Sequence, residues 1–158
     1  MNKTELKLFH LEDEIKEQMD RFQKPLIITE ATLEPSINLL HKVLIEGVNI
    51  PELKKLYFQF TGETPGKEWK SIKLFQGILG KSITDPGELR QLMSPMYLLN
   101  DLRQYYDHLL PNEKKEKIRD NIIESLQIES FDQIEEIYSL MLKRLGILYE
   151  YLEIAIEK

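Results

Sequence analysis

Ser94-Pro95-Met96-Tyr97-Leu98-Leu99-Asn100-Asp101-Leu102-Arg103-Gln104-Tyr105-Tyr106-Asp107-His108-Leu109-Leu110-Pro111 is the stretch on which the reading of this chain turns. Ser94-Pro95 has the form of a helix start and Pro111 that of a stop. With Asp101 set at 0° and each residue advancing 100°, Leu98, Leu109, Leu102, Tyr106, Leu99 and Leu110 share an arc of roughly 60–180°. The opposite arc carries Arg103, Asp107, Asn100, Gln104, His108 and Asp101, with Tyr97 among them. Such a helix buries one side in a bundle and keeps the other for solvent or chemistry.

The flanking segments repeat the helical period. Thr4 to Phe22 places Leu8, Leu11, Ile15, Met19 and Phe22 on one side of a first helix and acidic residues on the other. Leu26-Ile27-Ile28 follows as a packed connector. Thr32 is the expected N-cap of a second helix, with Pro35 in its first turn and Gly47 closing it. Asn49-Ile50-Pro51 opens a short helix that stops at Thr61-Gly62, and Lys67 to Leu79 resumes the period through Trp69, Ile72 and Phe75. Asp85-Pro86-Gly87-Glu88 is a capping box for a short helix to about Leu92, followed by the central one. Asn112 to Leu126 is a basic-then-apolar helix. Ser130-Phe131-Asp132-Gln133 is a second capping box, opening a long helix from Phe131 to about Glu157. Its wide apolar stripe suits either the spine of the bundle or a dimer interface, and within one chain the spine is the expectation. The fold class expected is all-α, a single helical domain over 1–158 with a long C-terminal helix.

Composition narrows the function. A chain of 158 residues with 42% hydrophobic and 30% charged residues can build a real core and is not disordered. Without cysteine there is no disulfide framework and no thiolate chemistry. The N-terminus lacks the apolar core of a secretory signal, and no apolar run approaches the roughly 18 residues of a membrane span, so a cytoplasmic protein with no membrane partner is expected. A net charge of −6 argues against a surface that is basic throughout, so any contact with nucleic acid must be local. Two local patches exist, Lys67, Lys70, Lys73 with Lys81, and Lys114, Lys115, Lys117 with Arg119; both also read as ordinary solvated helix faces.

Most catalytic signatures are missing. Gly62, Gly66 and Lys67 fail the phosphate-loop spacing, with Glu68 standing where serine or threonine should be. Lys7, Asn38 and Tyr105 precede the three histidines by three residues, so no Glu-x-x-His di-metal pair forms, and neither a metal nor a cofactor is expected. His41 lies beside an apolar stripe and reads as a core or boundary histidine. His10 reads as surface. His108 alone shares a face with Arg103, Asn100, Gln104 and Asp101.

Arg103-Gln104-Tyr105-Tyr106-Asp107-His108 resembles the Arg-x4–6-His motif of the HEPN superfamily, small all-α domains often found in prokaryotic toxin–antitoxin, abortive-infection and CRISPR-linked proteins. The resemblance covers about Leu89 to Glu157. It implies a metal-independent ribonuclease site assembled when two domains dimerise, with His108 as general acid/base, Arg103 stabilising the scissile phosphate and Gln104 in the polar position after the arginine. In many members of the superfamily the motif sits at or near the last helix, whereas here two further helices follow.

The chemistry can be argued independently. Metal-free RNA cleavage needs a base for the 2′-hydroxyl, an acid for the leaving oxygen and positive charge at the phosphorane, which histidine and arginine supply. One helix offers one of each, and a two-fold axis would offer two. Asp101 and His108 lie about 20° apart on the wheel, near enough for Asp101 to orient the imidazole, whereas Arg103 stands about 140° from His108 and must reach around Asp107. Arg103 and Asp107 also have the spacing of an ordinary ion pair. Asn100 and the Lys114, Lys115, Lys117 and Arg119 patch are the expected RNA contacts of such a homodimer. The competing reading is a non-catalytic helical module whose last helix, or acidic first helix, docks a protein partner. A third is a small-molecule pocket floored by Trp69, Phe75 or Tyr105.

Overall fold

The structure is a computed structural model, and it describes residues 12–20, 28–106 and 109–157. The described residues form an all-α bundle: α1 (Glu12–Asp20), α2 (Glu30–His41), a π-helical turn (Lys42–Glu46), α3 (Ile50–Thr61), α4 (Ser71–Leu79), α5 (Pro86–Tyr105), α6 (Asn112–Leu126) and α7 (Ile134–Glu157). The remainder of the expected first helix, including His10, and Leu26-Ile27 of the connector lie outside the described residues.

Helix α5 is the axis. Leu98, Leu99 and Leu102 are buried on the side the wheel assigned to the core, joined by Met93 and Met96 from the preceding turns. Helices α2, α6 and α7 pack around it. His41 near the end of α2 meets Asn100, while Glu30 and Glu34 at its start act on Tyr106, so α2 runs antiparallel to α5. Helix α7 also runs antiparallel: Phe131, just before it, packs on the Tyr105 ring with centroids 4.6 Å apart, and Arg144 and Tyr151 share a crevice with Glu88 and Gln91. Ile137, Tyr138, Met141, Leu145, Leu148, Leu152 and Ala155 fill the α7 side of the core, which makes this helix the spine of the bundle.

Several caps follow the expected chemistry. The Asp85 carboxylate accepts from the Glu88 amide at 2.7 Å, and Pro86 follows at the first helical position. Asn49 caps α3 through the Glu52 amide at 3.3 Å, and Gly62 ends that helix at φ 72°, a left-handed conformation that glycine adopts without penalty.

Other boundaries differ for identifiable reasons. Pro95 does not start a helix, because α5 runs unbroken from Pro86 to Tyr105. Proline costs a helix one donor and crowds the preceding turn, but Pro95 is buried between Met93 and Leu98, where apolar packing offsets that loss. At its other end α5 stops at Tyr105 with Tyr106 as C-cap, well short of Pro111. Leu109 therefore leaves the core arc and is 92% exposed. The second helix begins one turn earlier than Thr32: the Thr29 amide donates to the Thr32 hydroxyl at 2.9 Å, and Pro35 sits inside the helix. Gly47 keeps φ −72°, because the chain leaves α2 through the π-turn and not through a left-handed cap. Helix α4 starts at Ser71, not Lys67; the Trp69 amide instead closes a turn onto the Gly66 carbonyl at 3.2 Å. Helix α7 starts at Ile134, since the Gln133 side chain folds back to accept from the Glu129 and Ser130 amides at 2.9 and 3.0 Å.

Candidate functional site

Two polar regions flank the C-terminal half of α5. The first is the end of the helix itself. Asp101, Arg103 and Gln104 are half-buried there, on either side of fully buried Leu102. Burial pushes the Asp101 carboxyl above the ordinary aspartate range, because a carboxylate drawn out of water favours its neutral form. Arg103 makes no hydrogen bond or ion pair with any described residue. By contrast, Arg119 lies 3.5 Å from Asp120 and Arg144 donates to the Ser125 carbonyl at 2.9 Å.

The basic start of α6 joins this region. Lys115 holds its ammonium 5.9 Å from the centre of the Tyr105 ring, a cation–π arrangement that ties α6 to the last residue of α5. Lys114, Lys117 and Arg119 are exposed on the same helix. On the far side, burial and then the charges of Glu30 and, more weakly, Glu34 push the Tyr106 phenol well above its usual range, so a neutral hydroxyl faces an acidic flank.

The structure thus brings Asp101, Arg103, Gln104 and Lys115 to one end of the bundle. Asp107 and His108 lie outside the described residues, and with them the expected Asp101–His108 and Arg103–Asp107 relations. Asn100 belongs elsewhere: its Oδ1 lies 3.4 Å from His41 Nε2.

That contact opens the second region, which sequence reasoning missed. His41 is buried, and its Nδ1 stands 3.2 Å from Glu46 Oε1. On an α-helix, residues five apart point about 140° away from each other. Here the chain is wound as a π-turn, with the Gly47 amide donating to the Lys42 carbonyl at 2.8 Å, and the wider turn carries Glu46 back over His41. The angle is not that of a hydrogen bond, so Nδ1 keeps no hydrogen-bond partner among the described residues. Beside this pair lies a cleft of about 690 Å³, bounded by the π-turn, the first turn of α4 and the Tyr97–Asn100 side of α5. Trp69 lines it, half-buried and braced edge-on by Tyr57 at 5.5 Å. Of the three aromatics expected to floor a pocket, Trp69 lines this one, Phe75 is in the core, and Tyr105 packs on Tyr106 and Phe131. No α-helical spacing links His41 to Glu46, so only an anticipated π-turn could have revealed the pair.

Among the described residues no three His, Asp or Glu side chains gather as metal ligands, and no helix is long and apolar enough to cross a membrane. In comparisons with known proteins, no family model matches the chain, and no curated protein or solved structure matches it.

Proposed function

We propose that the protein is a metal-independent endoribonuclease of the prokaryotic defence or toxin–antitoxin type, acting at the C-terminal end of α5 as a homodimer. The observation that carries this reading is Arg103: a half-buried arginine, uncommitted to any described residue, two positions from the Tyr105 ring that Lys115 covers. A guanidinium drawn partly out of water gains from an opposite charge, and an anion supplied from outside can provide it. A phosphate oxygen fits the guanidinium fork, and charge develops on that oxygen as the 2′-oxygen attacks phosphorus. In the reaction the 2′-oxygen–phosphorus bond forms, the phosphorus–5′-oxygen bond breaks, and a proton passes from the 2′-hydroxyl to the departing 5′-oxygen through acid–base groups. The resemblance of the Arg103 to His108 segment assigns His108 to that transfer, with a second copy of the chain supplying its partner. Lys114, Lys115 and Lys117 extend the positive charge along which a strand would run. The groove of about 950 Å³ lined by Glu30, Asp132, Glu135 and Glu136 is acidic and would repel it.

The test is cleavage of a single-stranded RNA in EDTA by the wild type and Arg103→Ala, at equal dimer content. Wild-type cutting that slows at least about tenfold in the variant is expected for loss of one phosphorane contact. An inert wild type, or a variant that cuts as fast, overturns the reading.

One feature favours the interaction-module alternative. Ile147, Tyr151 and Ile154 are 41, 44 and 54% exposed and fall on one face of α7. They occupy the end of α7 remote from Tyr105, so a partner seated on them would leave Arg103 open. Replacing Ile147 and Ile154 together by Glu should abolish a heterocomplex of this protein, measured by co-purification from its source cells, and leave RNA cleavage unchanged. Persistence of the complex in the double variant would rule out this face.

A further inference from the structure

The cleft beside His41 has a separate chemistry. One wall is the start of α4, where Lys70 occupies the N-cap position and supplies no side-chain cap. The amides of a helix's first turn lack intrahelical acceptors, and the helix dipole adds partial positive charge there. Lys70 and Lys73 line the same wall and are exposed; Lys73 parks its ammonium 4.4 Å from the centre of the Trp69 ring. This wall suits a phosphate.

The α5 side of the cleft carries planar recognition. Tyr97 is 46% exposed, yet its hydroxyl is fixed by donating to Gln76 Oε1 at 3.0 Å, so the ring is presented in one orientation. Beyond it lie the Asn100 amide, the Glu46 carboxylate and buried His41, whose Nε2 lies 3.4 Å from Asn100 Oδ1 and whose Nδ1 stands 3.2 Å from Glu46 Oε1. Together they offer donors and acceptors to the edge of a flat heterocycle. The volume of about 690 Å³ falls within the roughly 300–1,000 Å³ of small-ligand clefts.

We propose that this cleft binds a nucleotide, either free or as an unpaired residue of single-stranded RNA, with its phosphate on the first turn of α4 between Lys70 and Lys73. The base stacks on Tyr97, and its edge meets Asn100, Glu46 and His41. Two carboxylates line the cleft as well, Glu46 beside His41 and Glu68 two residues before Lys70, and Lys70 and Lys73 balance their charge. Guanine is the best complement, since its adjacent N1–H and amino group can both donate to the Glu46 carboxylate. The inference stands on the cleft's own geometry and does not need the chemistry at Arg103.

Trp69 is the chain's only tryptophan and lines the site, so its emission reports binding directly. The probes are guanosine monophosphate, a short 2′-O-methyl oligoribonucleotide that cannot be cleaved through its 2′-oxygen, and inorganic phosphate. Guanosine monophosphate should change Trp69 emission saturably, and calorimetry should show binding about tenfold or more weaker in Tyr97→Ala and in Lys73→Ala. Tighter binding of the oligoribonucleotide assigns the site to RNA, and tighter binding of the mononucleotide assigns it to a free nucleotide. The proposal is overturned by no response to any probe, by inorganic phosphate matching the mononucleotide, or by both variants binding like the wild type. Binding is read without turnover, so an inert protein that binds would refute the ribonuclease reading alone. Cleavage without nucleotide binding would refute the cleft alone.

Discussion

His108→Ala is expected to slow metal-free RNA cleavage by about 10²- to 10⁴-fold, the contribution of a positioned acid–base group. Helix content and dimer fraction should not change. In the proposed mechanism alanine at 108 retains no proton-transfer group, whereas Arg103→Ala leaves proton transfer intact and removes only charge stabilisation; the histidine variant should therefore be the slower of the two. Added imidazole should restore part of the His108→Ala rate, because a small base can enter the space the side chain vacated. It should not help Arg103→Ala. If both motifs of a dimer contribute to one site, mixing the two variants and allowing subunits to exchange should recover activity that neither has alone. A His108→Ala protein that cuts at the wild-type rate would remove the histidine from the chemistry.

The sequence was most informative where local periodicity and core packing agree. Ile137, Tyr138, Met141 and Leu145 follow the 3.6-residue period of α7 and are buried as that period requires. The Asp85 and Asn49 caps are local hydrogen bonds between residues three apart, and such signals survive without tertiary context. Pro95 misled because its cost is local while its compensation, burial against neighbouring elements, is not. The His41–Glu46 pair was hidden for a related reason. It depends on a π-turn, and the surrounding contacts that sustain one, such as Ser71 Oγ donating to the Ile45 carbonyl at 3.1 Å, come from residues far along the chain. Asn100 was legible as a polar residue on the right helix but not as the partner of His41, 59 positions away. Arg103 was legible as a candidate through its motif, and its lack of a partner among the described residues could only be learned from the fold.

Leu102→Ala and Leu109→Ala separate the wheel reading of the central stretch from the observed one. Both leucines fall on the apolar arc if the helix continues to Pro111, and both substitutions would then be costly. In the structure Leu102 is 0% exposed and Leu109 is 92% exposed, because α5 ends at Tyr105. Leu102→Ala removes a side chain enclosed on all sides, and the bundle can close only part of the resulting cavity. The expected loss is about 3–4 kcal/mol of unfolding free energy. For a chain of this size that lowers Tm by roughly 6–16 °C. Leu109→Ala should stay within about 0.5 kcal/mol of the wild type. Paired denaturant titrations measure both, and equal losses would mean that the helix extends past Tyr105 and carries Leu109 into the core. Leu102 also lies between Asp101 and Arg103, so its packing sets the direction of the polar flank. If Arg103 holds the scissile phosphate as proposed, a Leu102→Ala protein held well below its melting temperature should cut RNA more slowly than Leu109→Ala at equal folded fraction, since a small misplacement of such a group is enough to reduce turnover.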